Sequence, residues 1–208
     1  MQSKSMETDW AAEHLQTIRT LMERSAVYRR ALAPILLFAG VLGIIGSLVG
    51  SFLDLDSVRS FASMWLATAV VTIGGAFFIA RRQAFKDREP FWSPPTRRIA
   101  VALAPPLTVG MLLGFIFALE NAPELFGPLV FIWAFFYGCA VHSAGFFISR
   151  GMRLFGWVFI VSAGVLSFLH EHRGLMINPD ALMGFFFGGL HLAYGIYLYI
   201  TEKGKNAA

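Results

Sequence analysis

Two histidines in apolar stretches of the sequence, His142 and His191, are the side chains with the most obvious capacity for chemistry. A neutral imidazole can bind a metal ion or a haem iron, or pass a proton. It can also hydrogen-bond a carbonyl or hydroxyl group of a neighbouring helix and so fix packing, a bond worth about 0.6–2 kcal/mol within a membrane. We favour the packing role, with haem or metal binding and a proton relay as alternatives.

Glycines recur at helical spacing beside both histidines. Small residues on one helical face mark places where a second helix packs closely, so both imidazoles are predicted to point into a bundle. The histidines differ in depth by about 7–8 Å at 1.5 Å per residue, and a bis-histidine haem would need their helices to face each other. The candidate ligand-binding residues are His191, His142, Gly188 and Cys139, and the two glycine stripes are Gly184, Gly188, Gly195 and Gly138, Gly145.

A second polar group is expected at the opposite end of the helices. His170 and His172 lie near several acids there and are weak candidates for binding a divalent cation or sensing pH. Residues two apart diverge on a helix, so we favour a solvated polar rim and predict no metal site. The acids of this rim are Asp54, Asp56, Glu120, Glu124 and Asp180.

Several functional classes lack their sequence signals. The single cysteine, Cys139, excludes an intrachain disulfide and a cysteine-based zinc site. No phosphate-binding loop, zinc-protease motif or nucleophile elbow is present, so an enzyme is not expected. No basic face with interleaved aromatics indicates nucleic acid binding. No acid lies midway along an apolar stretch, which makes a small-solute transporter the weakest alternative.

The elements that position these residues are membrane-spanning helices. Of the 208 residues, 56% are hydrophobic and only 14% charged, whereas soluble domains have about 25% charged residues. Six apolar runs have about the length that a helix needs to cross the hydrocarbon core, and they lack the alternation of barrel strands. We predict an all-α, polytopic bundle of six spans, at Ala31–Leu53, Phe61–Ala80, Ile99–Leu119, Pro128–Ile148, Met152–Leu169 and Leu182–Thr201.

Basic residues predict the orientation. All Lys and Arg residues except Arg59 and Arg173 belong to the N-terminal segment, the second and fourth connections and the C-terminal tail. Such segments stay in the cytoplasm, so both termini are predicted to be inside. Trp65 and Trp133 are expected to anchor the outer interface, with Trp157, Tyr197 and Tyr199 at the inner interface.

The segments outside the spans suggest association with lipid or protein. Residues 1–30 are predicted to form a cytoplasmic amphipathic helix, followed by the transmembrane domain 31–201 and a cytoplasmic tail 202–208. The connection Arg81–Arg98 is expected to lie against anionic headgroups. Prolines Pro105 and Pro106 are expected in the first turns of helix 3, where they are tolerated. The predicted headgroup-binding residues are Arg81, Arg82, Lys86, Arg88, Arg97 and Arg98.

Two stretches, Leu15–Arg24 and Phe187–Gly195, together with this layout resemble a group of bacterial membrane proteins to which no activity is assigned. Its members combine an amphipathic N-terminal helix with several spans and a Phe-Gly-x-x-His-x-x-Tyr-Gly-like stretch. The resemblance implies a bacterial inner-membrane protein and favours His191 over His142. The resulting hypothesis is a non-enzymatic membrane protein that acts through self-association or a partner, using its N-terminal helix and glycine stripes; an intramembrane haem, metal or small-ligand binder is the alternative.

Overall fold

The structure is a computed structural model that describes residues 31–55, 57–174 and 177–206. Six helices in it are long and apolar enough to cross a membrane, with mean hydropathies from 1.5 to 2.4. The chain is therefore a multi-pass membrane protein with an all-α bundle, as predicted. The helices are α1 (Ala31–Leu53), α2 (Val58–Lys86), α3 (Pro94–Glu120), α4 (Phe126–Ile148), α5 (Arg150–Arg173) and α6, whose three segments are Pro179–Met183, a π-helical Gly184–Gly189 and Leu190–Asn206.

The predicted amphipathic helix, including Leu15–Arg24, lies outside the described residues. At the other end, α6 continues to Asn206, into the segment predicted as a tail.

The connection predicted as Arg81–Arg98 is much shorter in the structure. Helix α2 continues to Lys86 and α3 begins at Pro94, so only residues 87–93 join them. Lys and Arg are good helix formers, and a helix does not end where the hydrocarbon ends. Most of the predicted headgroup-binding cations therefore extend from helical turns.

The same early start places Pro105 and Pro106 in the interior of α3, so the prediction that they occupy its first turns is wrong. Without backbone N–H groups they cannot donate to the carbonyls of Val101 and Ala102. The apolar run used to predict the helix began at Ile99, although Pro94 already occupies the favoured first position of a helix.

Helices α4 and α6 form the centre of the bundle. Of their spanning windows, 44% and 39% are buried, against 11% for α2 and for α3. Helix α3 packs on α2 and α4, and α4 also packs on α5 and α6. The α2–α3 hairpin is thus peripheral, and most of its surface faces the lipid.

Helix α1 packs on α6 through glycines from both helices. The backbone nitrogen of Gly188 lies only 2.6 Å from where a Cβ on Gly43 would be, and a Cβ on Gly195 would lie 3.0 Å from the backbone nitrogen of Leu37. A Cβ on Gly184 would overlap the side chain of Ser47. The glycine stripe of α6 therefore serves packing within the chain, and the expectation that it mediates self-association loses its physical basis.

Arg59, one of the two basic residues outside the four cationic segments, holds the end of α3. Its guanidinium donates to the carbonyl oxygens of Ala118 at 3.1 Å and Leu119 at 3.3 Å, and its backbone N–H donates to Asn121 Oδ1 at 2.9 Å. A cation at the carbonyl end of a helix satisfies otherwise unpaired acceptors and complements the helix dipole.

Candidate functional site

Among the residues that the structure describes, His191 is the most deeply buried ionisable side chain, with only 2% of its surface exposed. Its Nδ1 atom lies 3.2 Å from the Phe186 carbonyl oxygen, and its Nε2 atom lies 2.6 Å from Tyr137 Oη. A carbonyl only accepts, so Nδ1 carries the proton. In the neutral ring Nε2 then accepts, and the Tyr137 hydroxyl donates to it. Both ring nitrogens are therefore used within the protein.

A local change of helix type lies immediately before this residue. Residues Gly184–Gly189 form a π-helix, in which the Leu190 N–H donates to the Phe185 carbonyl, five residues earlier. The next carbonyl, that of Phe186, is the one that accepts from the His191 ring. Short π segments occur frequently at functional sites. Glycines at three of the six positions accommodate the wider turn and the close approach of α1.

Aromatic rings enclose the Tyr137–His191 pair. The centroid of the His191 ring lies 5.2 Å from that of Tyr137, 5.4 Å from that of Phe155 and 5.5 Å from that of Phe159. Phe187 stacks on it at 6.1 Å. Inside this aromatic enclosure the two polar groups cannot hydrogen-bond to water. Their hydrogen bond to each other therefore avoids the cost of leaving two buried polar groups unpaired.

His142 has a different set of neighbours. Its Nδ1 lies 3.2 Å from the Arg153 carbonyl oxygen, and its ring meets Phe146 and Trp157 edge to face at 5.3 and 5.5 Å. On α5, Arg153 and Trp157 lie roughly opposite to the residues that contact His191, at about 100° per residue. The two imidazoles thus lie on opposite sides of α5, an arrangement that does not support one shared haem or metal layer.

The other two residues of the predicted ligand-binding set do not adjoin either ring nitrogen. Gly188 packs against Ile44 of α1. Cys139 is exposed on the surface of α4, away from the His191 ring. Exposure follows from its position, because it shares the outward face of α4 with Phe146.

His170 and His172 diverge, as their spacing predicts. His170 faces α4, where its ring lies 5.9 Å from that of Phe131. His172 stacks on Phe168, which is exposed, at 4.4 Å. Within residues 31–55, 57–174 and 177–206, no three His, Cys, Asp or Glu side chains are grouped closely enough to hold a metal ion.

Asp180 lies in a different environment from the one that the sequence predicted. It was expected in the solvated rim, but only 4% of it is exposed, in the first turn of α6. Trp65 Nε1–H donates to Asp180 Oδ1 at 3.1 Å, and Asn178 caps the turn by accepting from the Asp180 N–H at 2.8 Å. Trp65 and Trp133 were expected to anchor the interface, but both side chains are buried among protein side chains. Trp133 donates to the Gly110 carbonyl at 2.8 Å.

The predicted headgroup-binding residues are all exposed, and they surround the 87–93 turn. Exposed aromatic side chains accompany them: Phe85 and Trp92 are 71% and 61% exposed. The Arg81 guanidinium lies 5.7 Å from the centre of the Phe85 ring. This end of the α2–α3 hairpin therefore combines cations with aromatic rings, a composition suited to a membrane interface.

The buried polar groups of the bundle are satisfied within the protein, whereas the charged side chains around the 87–93 turn are exposed to the surroundings. No buried polar side-chain atom among the described residues lacks a hydrogen-bond partner.

The resemblance to bacterial membrane proteins with a similar last helix stays a prediction. Comparison with known proteins finds no matching family model, no similar curated protein and no similar solved structure.

Proposed function

We propose that this chain is a bacterial inner-membrane protein that acts by association rather than by catalysis, with its cationic end engaging anionic lipid headgroups and its lipid-facing helices engaging a protein partner or a second copy. The observation that carries this proposal is the contrast between the two kinds of polar group. Among the described residues, the buried polar side-chain atoms all have hydrogen-bond partners within the protein, whereas the cations around the 87–93 turn are exposed. A reacting or transported molecule would need the first kind to be available.

The charge balance of the hairpin end supports lipid contact. Residues 81–98 contain six cations and two acids, and one of the acids, Asp87, accepts a hydrogen bond from Gln83 at 3.0 Å. Each Lys or Arg near an anionic surface contributes about 1 kcal/mol. The exposed Trp92 ring would lie at headgroup level beside them.

The orientation gives a first prediction. A reporter inserted in the 87–93 turn is expected to behave as cytoplasmic, because the flanking cations resist translocation. A matched insertion in the short connection after Glu120 should behave as external. Two reporter fusions at each position, one active only in the cytoplasm and one active only outside it, measure the orientation. Reversed signals would refute both the orientation and the contact with the anionic inner leaflet.

The association itself gives a second prediction. Native mass measurement of gently extracted protein is expected to find a dimer, a higher oligomer or a complex of defined composition. Chemical crosslinking in intact membranes, before detergent is added, should give the same composition. A strict monomer in both measurements, with no protein bound, would refute the association.

A second candidate function has one specific observation in its favour. The π-helical segment, the Tyr137–His191 pair and its aromatic enclosure coincide in the centre of the bundle, and ionisable groups at such depth are functional by default. A haem or metal at His191 Nε2 would have to displace the Tyr137 hydroxyl. An absorbance scan and metal analysis of the purified protein test this candidate, and the absence of both a haem band and bound metal would refute it.

A further inference from the structure

A patch of four side chains on α4 and α5 has no role in the packing of the bundle centre. Near the Ser149 turn, the Arg153 guanidinium lies 5.0 Å from the centre of the Phe146 ring. The His142 ring lies between Phe146 and Trp157, edge to face with both. Phe146 and Trp157 are 62% and 50% exposed. The three aromatic side chains and the guanidinium group thus form one connected patch, of which Phe146 and Trp157 are exposed.

Two strong donors in this patch have no acceptor within the part of the chain that the structure describes. The Arg153 guanidinium contacts the Phe146 ring but forms no ion pair or hydrogen bond there, and the Trp157 indole N–H likewise has no hydrogen-bond partner. His142 is committed through Nδ1 to the Arg153 carbonyl. It acts as a spacer that holds the two exposed rings apart.

We propose that this patch binds the phosphate group of an anionic phospholipid, with Arg153 as the charge partner and Trp157 as the second donor. A guanidinium group matches the geometry of phosphate oxygens and forms paired hydrogen bonds with them. The Phe146 face holds the guanidinium in place before binding, which lowers the entropy lost when it captures the headgroup. The inference needs the six-span bundle only and does not depend on a protein partner.

The surface that continues from the patch identifies the ligand as a lipid and not a free anion. Beyond Trp157, exposed apolar side chains follow at spacings of four, four and three residues, namely Val161, Val165 and Phe168. These positions lie on one face of α5. From Trp157 to Phe168 the track is about 16 Å long at 1.5 Å per residue, a length suited to an acyl chain. Phosphate binding at one end and an apolar track at the other describe an amphiphile.

The experiment uses the full chain in nanodiscs of phosphatidylcholine that contain a small fraction of phosphatidylglycerol, and native mass spectrometry counts the phosphatidylglycerol that stays bound. Arg153→Gln keeps the stem that packs on Gly145 and is expected to lower the retention of phosphatidylglycerol about tenfold or more, because a hydrogen bond to a charged group contributes about 1.5 kcal/mol or more. Arg150→Gln is the matched control, because it removes one exposed cation from the same helix, three residues before Arg153. It should change retention less than about twofold, as expected for a diffuse headgroup contact.

Trp157→Phe supplies a second variant that keeps an aromatic ring and removes only the N–H donor. It should lower retention while leaving thermal unfolding unchanged, so that a failure of Arg153→Gln to fold does not remove the test. Equal losses in Arg153→Gln and Arg150→Gln would overturn the site and leave only a general attraction of anionic lipid to basic residues. Wild-type retention in both Arg153→Gln and Trp157→Phe would also overturn it, as would displacement of the lipid by inorganic phosphate.

Discussion

Replacing Gly43 by leucine is expected to separate α1 from α6 and to destabilise the bundle by about 3 kcal/mol or more, at the upper end of overpacking effects. The cause is the closeness of two backbones. A Cβ on Gly43 would overlap the Phe187 carbonyl group and lie 2.6 Å from the backbone nitrogen of Gly188. Side chains can rotate away from a new methyl group, but a helical backbone cannot, so the whole contact must open.

The matched control for this substitution is Gly74→Leu. Gly74 also lies inside a spanning helix, but nothing lies within 4 Å of a Cβ built there. Both variants gain the same helix propensity and the same apolar surface, so their difference isolates the α1–α6 contact. Denaturant titration in detergent measures the difference. Equal midpoints for Gly43→Leu and Gly74→Leu would mean that the two helices do not approach as closely as described.

The number of spans and their order could be predicted because lipid imposes a simple rule. A segment in hydrocarbon must form all its backbone hydrogen bonds internally, so each span is a continuous apolar helix. Such a helix can be recognised from a run of consecutive apolar residues, without knowledge of the tertiary contacts. The ends of the helices do not follow this rule. Helix α2 continues through Arg81 and Arg82 without interruption. The backbone hydrogen bonds of a helix form within the helix, so they can form in the headgroup region as well as in hydrocarbon.

The Trp65–Asp180 hydrogen bond illustrates what sequence could not predict. The two residues are 115 positions apart, and each had an ordinary reading alone, as an interfacial tryptophan and a loop acid. Only the packing of α6 beside α2 removes Asp180 from water and supplies its donor. One local signal was present: Pro179 precedes Asp180 directly, as at the first turn of a helix, where a carboxylate is favoured by the helix dipole.

The placement of the histidines was predictable only in part. Glycine spacing indicated correctly that His191 points into the bundle. It also placed His191 on the glycine face, whereas the glycines meet α1 and the imidazole meets α4 and α5. The π-helical segment changes the angle per residue just before His191, so a rule of 3.6 residues per turn cannot orient its ring. No residue type in Gly184–Gly189 signals that segment in advance.

Removing the Tyr137 hydroxyl is the second substitution with a large expected effect. Tyr137→Phe would leave His191 Nε2 buried without a donor, at a cost of about 1–3 kcal/mol. In a chain that already carries His191→Leu the same change should cost less, because the acceptor is gone. The difference between the two costs is expected to be about 0.6–2 kcal/mol, the range for hydrogen bonds between membrane helices. Denaturant titration of the wild type, both single variants and the double variant measures it.

Tyr199→Phe is the control for this cycle, since Tyr199 is 56% exposed and its hydroxyl can exchange a partner for water or headgroups. It should leave the free energy of unfolding unchanged. Strictly additive costs for Tyr137→Phe and His191→Leu would show that the two side chains do not act as a pair.

The cycle also separates the two functional candidates, because Tyr137→Phe uncovers the lone pair of His191 Nε2. If that atom serves a haem or metal, the variant should bind the cofactor more readily than the wild type; if the pair serves packing, the variant loses stability and binds nothing.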